Sequence, residues 1–110
     1  MNYAQKLLTR LKANHDGCSD YRAAQILEIS PASISLVKQG RNGFSDQTIN
    51  KIAQLLGENP MKVIGQYHLE TQDFPSMNNV WEAMVEWGFK EEMKQYQRVT
   101  EDGIGKVSGL

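Results

Sequence analysis

Cysteine is nearly absent from this chain: Cys18 stands alone among 110 residues. A single thiol permits no internal disulfide, which suits a reducing cytoplasm. Histidine is almost as scarce, with only His15 and His68. Together with Cys18 they make no metal-ligand spacing, so no metal and no cofactor is expected. No apolar run approaches the roughly 18 residues needed to cross a bilayer, and no membrane partner is expected. Nor is a signal peptide expected, since Met1-Asn2-Tyr3 leads at once into an amphipathic pattern. No Gly-rich phosphate loop occurs, and Ser33 and Ser35 have no His–Asp partner in the pattern. Catalytic residues are therefore not expected, and the chain reads as a non-enzyme.

What is present is ordinary in amount and uneven in placement. Hydrophobic residues make up 40% and charged residues 23%, which fits one globular domain with a modest core or an appended arm. Net charge is −1. Residues 1–68 hold eight Lys/Arg against five Asp/Glu, whereas residues 69–110 hold four against eight. The first part is thus suited to an anionic partner and the second is acidic.

Apolar residues recur at helical spacing through the first part. Tyr3, Leu7, Leu8 and Leu11 predict a helix over about 2–13, broken by Asn14-His15-Asp16-Gly17. Ser19 or Asp20 caps a second, with Ala23, Ala24 and Leu27 inward. Ser45 caps a later helix carrying Ile49, Ile52, Ala53 and Leu56, which Gly57 stops. Asn59-Pro60 then reads as N-cap and first helical residue, with Val63, Ile64 and Tyr67 inward.

Between the second and the fourth lies "ISPASISLVKQGR", residues 29–41, a run of mediocre helix formers. Pro31 interrupts any strand. With Ser30 as N-cap and Pro31 at N1, a helix runs to Gln39 and Gly40 ends it. Ile34 and Val37 fall on one side as anchors; Ala32, Ser35, Leu36 and Gln39 fall on the other. Two short helices joined by a three-residue turn describe a helix-turn-helix. Small outer residues on the second suit close approach to a surface such as the DNA major groove.

The stretch "DYRAAQILEISPASISLVKQGR", followed by "FSDQTINKIAQLLGENPMKVI", resembles the helix-turn-helix DNA-binding domains of the phage-repressor and Cro class (XRE-like). The likeness covers about residues 1–68 and includes Ile52, Ala53, Leu56 and Gly57. It implies an all-α fold, a five-helix lambda-repressor-like domain with a C-terminal helical arm. It also implies double-stranded DNA as partner. By the same resemblance Pro31, Ala32, Ser33, Ser35 and Leu36 face base edges, and Gln39 can bond adenine or, if it lies too far out of the groove, a phosphate. Ser30, Lys38, Arg41 and Asn42 meet phosphates. Two of these have other uses: Leu36 can pack on the next helix, and Arg41 can serve only the helix end. Lys6, Arg10, Arg22, Lys51 and Lys62 read as solvated surface. One departure stands out. The family usually has glycine where Glu28 stands, a turn position that often needs a left-handed backbone. Either Glu28 bears that strain, about 1 kcal/mol, or the turn differs.

The last third divides again. Residues 69–79 read as a polar linker around Pro75, residues 80–97 as a helical arm, and residues 98–110 as a flexible tail. Asn79 and Glu82 suggest an N-terminal cap for the arm, with Val80 on its apolar side. Gly88 should end or kink it. Its apolar stripe of Trp81, Met84, Val85, Phe89, Met93 and Tyr96 must fold back on the first domain or join two chains. Two-fold pairing would let two short helices read a palindrome, so a homodimer interface at Trp81, Met84, Val85, Phe89 and Met93 is expected. The expected function is a dimeric transcriptional repressor of phage or prophage origin. An antitoxin whose acidic arm takes a protein partner, or an interaction module without DNA binding, are the alternatives.

Overall fold

The computed structural model describes the backbone of residues 1–108 and the side chains of residues 1–95. It is all-helical among those residues: α1 (Tyr3–Asn14), α2 (Asp20–Leu27), α3 (Pro31–Lys38), α4 (Asp46–Leu55), α5 (Pro60–Thr71) and α6 (Asn78–Ser108). Short polar side chains start the first five. Asn2, Ser19, Ser30, Ser45 and Asn59 each accept a backbone N–H from the turn they precede. Each of these caps gives an otherwise orphaned donor a partner.

The first five helices share one core. Leu7 and Leu11 of α1, Ile34 and Val37 of α3, Ile49 and Ile52 of α4, and Val63 of α5 are its largest fully buried side chains. Ala23 and Ala24 of α2 are also buried, and their small size lets α3 pack close on α2. α3 has eight residues, far too short to be stable alone. Burial of Ile34 and Val37 supplies about 1.5–3 kcal/mol each and holds it in place. It ends at Lys38, one residue before the expected Gln39. Gly40 turns left-handed at φ 74° and the Arg41 N–H reaches back to the Leu36 carbonyl.

The turn between α2 and α3 resolves the question raised by Glu28. Glu28 sits in the left-handed region, at φ 58° and ψ 40°. Two bonds close the turn: Ile29 N–H to the Ala24 carbonyl and Glu28 N–H to the Gln25 carbonyl. Together they form the Schellman pattern that glycine usually serves. Glu28 therefore accepts the backbone strain rather than changing the turn. Its carboxylate lies 3.4 Å from Lys51 Nζ but is 82% exposed, so the pair contributes little.

Beyond Gln72 a turn of 3-10 helix, Pro75–Met77, leads straight into α6. The polar linker is thus shorter than 69–79, because α5 continues to Thr71. Three local expectations need correction. Asn79 lies inside α6 and caps nothing, since the helix already starts at Asn78. Val80 faces outward and is exposed. Gly88 neither ends nor breaks the helix. Its missing side chain is needed for contact: a Cβ there would lie 2.5 Å from the Lys62 backbone nitrogen. The tail expected over 98–110 falls on the stretch of α6 up to Ser108 and on residues outside the description.

α6 runs back antiparallel along α5. Near its start it meets Gly65, where a Cβ would lie 2.6 Å from the Trp81 carbonyl oxygen and 3.0 Å from Val85 Cγ2. Trp81 stacks on His68 with ring centroids 4.3 Å apart. Farther along, Glu92 accepts the Asn59 N–H at 2.7 Å and pairs with Lys62 at 2.9 Å. A carboxylate at the positive end of α5 also complements the helix dipole.

Two substitutions test this account. Glu28→Gly should raise stability by up to about 1 kcal/mol by removing the left-handed strain, while Glu28→Ala should leave it nearly unchanged. Urea titration of both variants checks this. Gly65→Ala should cost about 1–3 kcal/mol, because neither the Trp81 backbone nor Val85 has room to give. A lowered thermal midpoint is the expected sign, and an unchanged one would mean that α6 does not press on α5.

Candidate nucleic-acid interface

The exposed face of α3 is built from residues that its buried face leaves over. Ile34 and Val37 point into the core, so Pro31, Ala32 and Ser35 stand exposed, followed by Gln39. Ser33 and Leu36 are half-buried. Leu36 therefore divides its surface between solvent and the fold. Ser30 is occupied as the N-cap, accepting the Ser33 N–H at 3.1 Å, and its Oγ lies 2.9 Å from Ser33 Oγ. Gln39 Nε2 donates to Ser35 Oγ at 3.3 Å, so these two side chains form one exposed polar unit.

The first turn of α1 locks the far end of α3. Asn2 and Gln5 form a reciprocal capping box, and the Gln5 Nε2 donates onward to the Lys38 carbonyl at 2.8 Å. One side chain thus serves the start of α1 and an orphan carbonyl at the end of α3. Gly40 is needed there for its left-handed backbone at φ 74° and not for space, since a Cβ would only make ordinary contact with Gln5 Nε2 at 3.5 Å. The Asn-x-x-Gln spacing was readable as a capping box. Its reach to Lys38 was not, because the two residues are 33 positions apart.

Charges divide into paired and free. Lys38 and Lys12 both reach Asp20, each at 2.7 Å. Hydrogen bonds from Lys12 and then Lys38 hold the Asp20 carboxyl below the usual carboxylate range. Lys38 is thus engaged by α2 while remaining half-exposed. Arg10 pairs with Glu58, Lys51 with Glu28, and Lys62 with Glu92. Arg41, Lys6 and Arg22 make no ion pair among the described residues. Arg41 and Asn42 are exposed just after α3, and Lys6 shares their cavity of about 690 Å³. That cavity opens between the start of α1, the loop after α3 and the end of α5. Lys6, read from sequence as plain surface, thus lines one cavity with Arg41, which Asp46, Glu70 and Asp73 line as well. Tyr21, on the first turn of α2, is 63% exposed.

The floor of the same cavity is rigid. Tyr67 Oη accepts the Phe44 N–H at 3.0 Å, which fixes the loop after α3 from below. A Cβ at Gly43 would collide with that hydroxyl. Burial pushes the Tyr67 phenol up from its ordinary value, so it stays protonated. His68 Nε2 donates to Asp46 Oδ1 at 2.7 Å, tying α5 to the start of α4. Among the described residues no group of three His, Cys, Asp or Glu side chains could hold a metal ion. No helix among them is long and apolar enough to cross a membrane.

The residues named for a dimer interface separate into two sets. Trp81, Met84 and Val85 are half-buried on α6, turned toward α5 of the same chain. Phe89 and Met93 are exposed, as is Trp87. Tyr96 lies outside the described side chains.

In comparisons with known proteins the chain matches no family model, no curated protein and no solved structure.

Asp20 gives a pH test of the lysine pairing. Its folded pKa is depressed, so its contribution is present above the ordinary carboxylate value of 3.8 and is lost as pH falls through the lowered folded value. Asp20→Asn should therefore be less stable than the parent at neutral pH, and the gap should close as both are acidified. Thermal melts of both proteins from pH 7 downward check this. A gap that stays constant into acid would mean that the two lysines do not hold Asp20 in solution.

Proposed function

We propose that this chain is a sequence-specific DNA-binding repressor of phage or prophage type, built on a lambda-repressor-like helix-turn-helix domain. One observation carries the reading. α3 is anchored by two fully buried side chains and presents a small, polar outer face, directly after a left-handed turn from α2. A helix of that kind can enter the major groove without its own side chains holding the backbone away. Ala32 and Leu36 suit thymine methyl groups, Ser35 and Gln39 suit hydrogen bonding to base edges, and Arg41 and Asn42 suit the phosphates beside them. Lys6 joins this phosphate-binding group because it lines the same cavity as Arg41. A single short helix reads too few base pairs to select one site in a genome. The repressor therefore acts as a homodimer on a palindromic operator and blocks transcription by occupying it.

Selection of binding sites from random duplexes tests the reading directly, and recovery of a palindromic motif is the expected result. Arg41→Ala and Lys6→Ala should each weaken binding to all sequences alike and lower the salt slope by about one. Arg10→Ala, at a residue paired with Glu58 of the turn before α5, should leave the slope unchanged. Ser35→Ala should instead alter preference at one position of each half-site, by about 1–3 kcal/mol. Absence of binding to any duplex at low salt would sink the repressor and leave an interaction module.

A further inference from the structure

The side of α6 turned away from α5 carries a pattern that its own chain uses only in part, through the exposed pairs Glu86–Lys90 and Glu91–Lys94. Glu82, Glu86, Lys90 and Lys94 lie four residues apart and form one exposed ridge along the helix. Beside it on one side run Ala83 and Trp87, and on the other Phe89 and Met93. All four are exposed, Trp87 by 59%, Phe89 by 54% and Met93 by 40%. The ridge is acidic in its first half and basic in its second. Reversing its direction about position 88 exchanges the signs: 82 falls opposite 94, and 86 opposite 90. The same reversal keeps each flanking row on its own side of the ridge, so Ala83 and Trp87 meet the same pair of the second copy, and Phe89 and Met93 likewise meet theirs. A parallel copy would put like charge on like charge.

From this we infer that α6 is the seat of a second copy of this chain, docked antiparallel on that outer face with a two-fold axis at the level of position 88. The occupant is specified by charge complementarity, since the face is its own complement only when reversed. Apolar contact of Trp87, Phe89 and Met93 supplies the attraction, and the charges set direction and register. α5 is in no one's way. Its contacts with α6 use Trp81, Val85, Gly88 and Glu92, on the opposite side of the helix. Within one chain Lys90 already lies 3.1 Å from Glu86, an exposed pair free to exchange partners on docking. The inference deepens the proposed dimer and rests on that reading only for what the dimer is for.

Sedimentation of the full chain without DNA tests it. The parent should be a dimer at micromolar concentration. Glu86→Lys makes positions 86 and 90 both positive, and Lys90→Glu makes both negative, so each variant alone faces like charge across the axis. Each should raise the dimer Kd by about tenfold or more. Both variants lose the pair within their own helix, and mixing cannot restore that pair. It can restore the pairs between chains, so an equimolar mixture should regain the dimer mass as a one-to-one heterodimer. A parent that stays monomeric, single variants as dimeric as the parent, or a mixture that stays monomeric would each overturn the inference. A dimer that binds no DNA would sink the repressor reading alone, and a monomer that binds DNA would sink the pairing alone.

Discussion

Ile34 and Val37 are the contacts on which the rest of the surface depends. An eight-residue helix of proline, serine and β-branched residues has no stability of its own. It exists because those two side chains complete a core shared by α1, α2, α4 and α5. That arrangement separates two demands. Buried positions hold α3, so the exposed ones are free to be chosen for what they meet. Had the outer face also carried long side chains for helix stability, the backbone could not come close to another surface.

Polar contacts then set the orientation that burial leaves loose. Hydrophobic contact is non-directional, and two anchors allow a short helix to rock. Gln5 holds the end of α3 by its Lys38 carbonyl, and Asp20 holds the Lys38 side chain. The left-handed Glu28 sets the angle at which α3 leaves α2. Each is a small free energy, but together they act on both ends of one helix. The Lys38 ammonium is held by Asp20 while half of the side chain stays exposed.

α6 belongs to the domain through absences rather than through side chains. Gly65 and Gly88 remove the atoms that would separate α5 from α6. The close approach brings Trp81 over His68 and places Glu92 on the first turn of α5. The helix consequently spends only one side on its own chain. The other side retains Trp87, Phe89 and Met93 in water.

Much of the fold was legible in the sequence. Helical spacing of apolar residues located the five helices and named Ile34 and Val37 as anchors, because the period of a helix converts spacing into a buried side. The Ser30-Pro31 and Asn59-Pro60 pairs marked two helix starts, because a local cap needs only neighbours. The outer residues of α3 were legible for the same reason, as the complement of its anchors. Three features were decided only by tertiary structure. Gly88 looked like a break and proved to be a crossing point, since only the presence of Lys62 beneath it makes the missing side chain useful. Lys6 looked like plain surface until folding brought it to the cavity that Arg41 also lines. The stripe on the arm looked like one interface. Packing on α5 divided it in two, because a helix can press only one side against one neighbour and the sequence does not say which neighbour arrives.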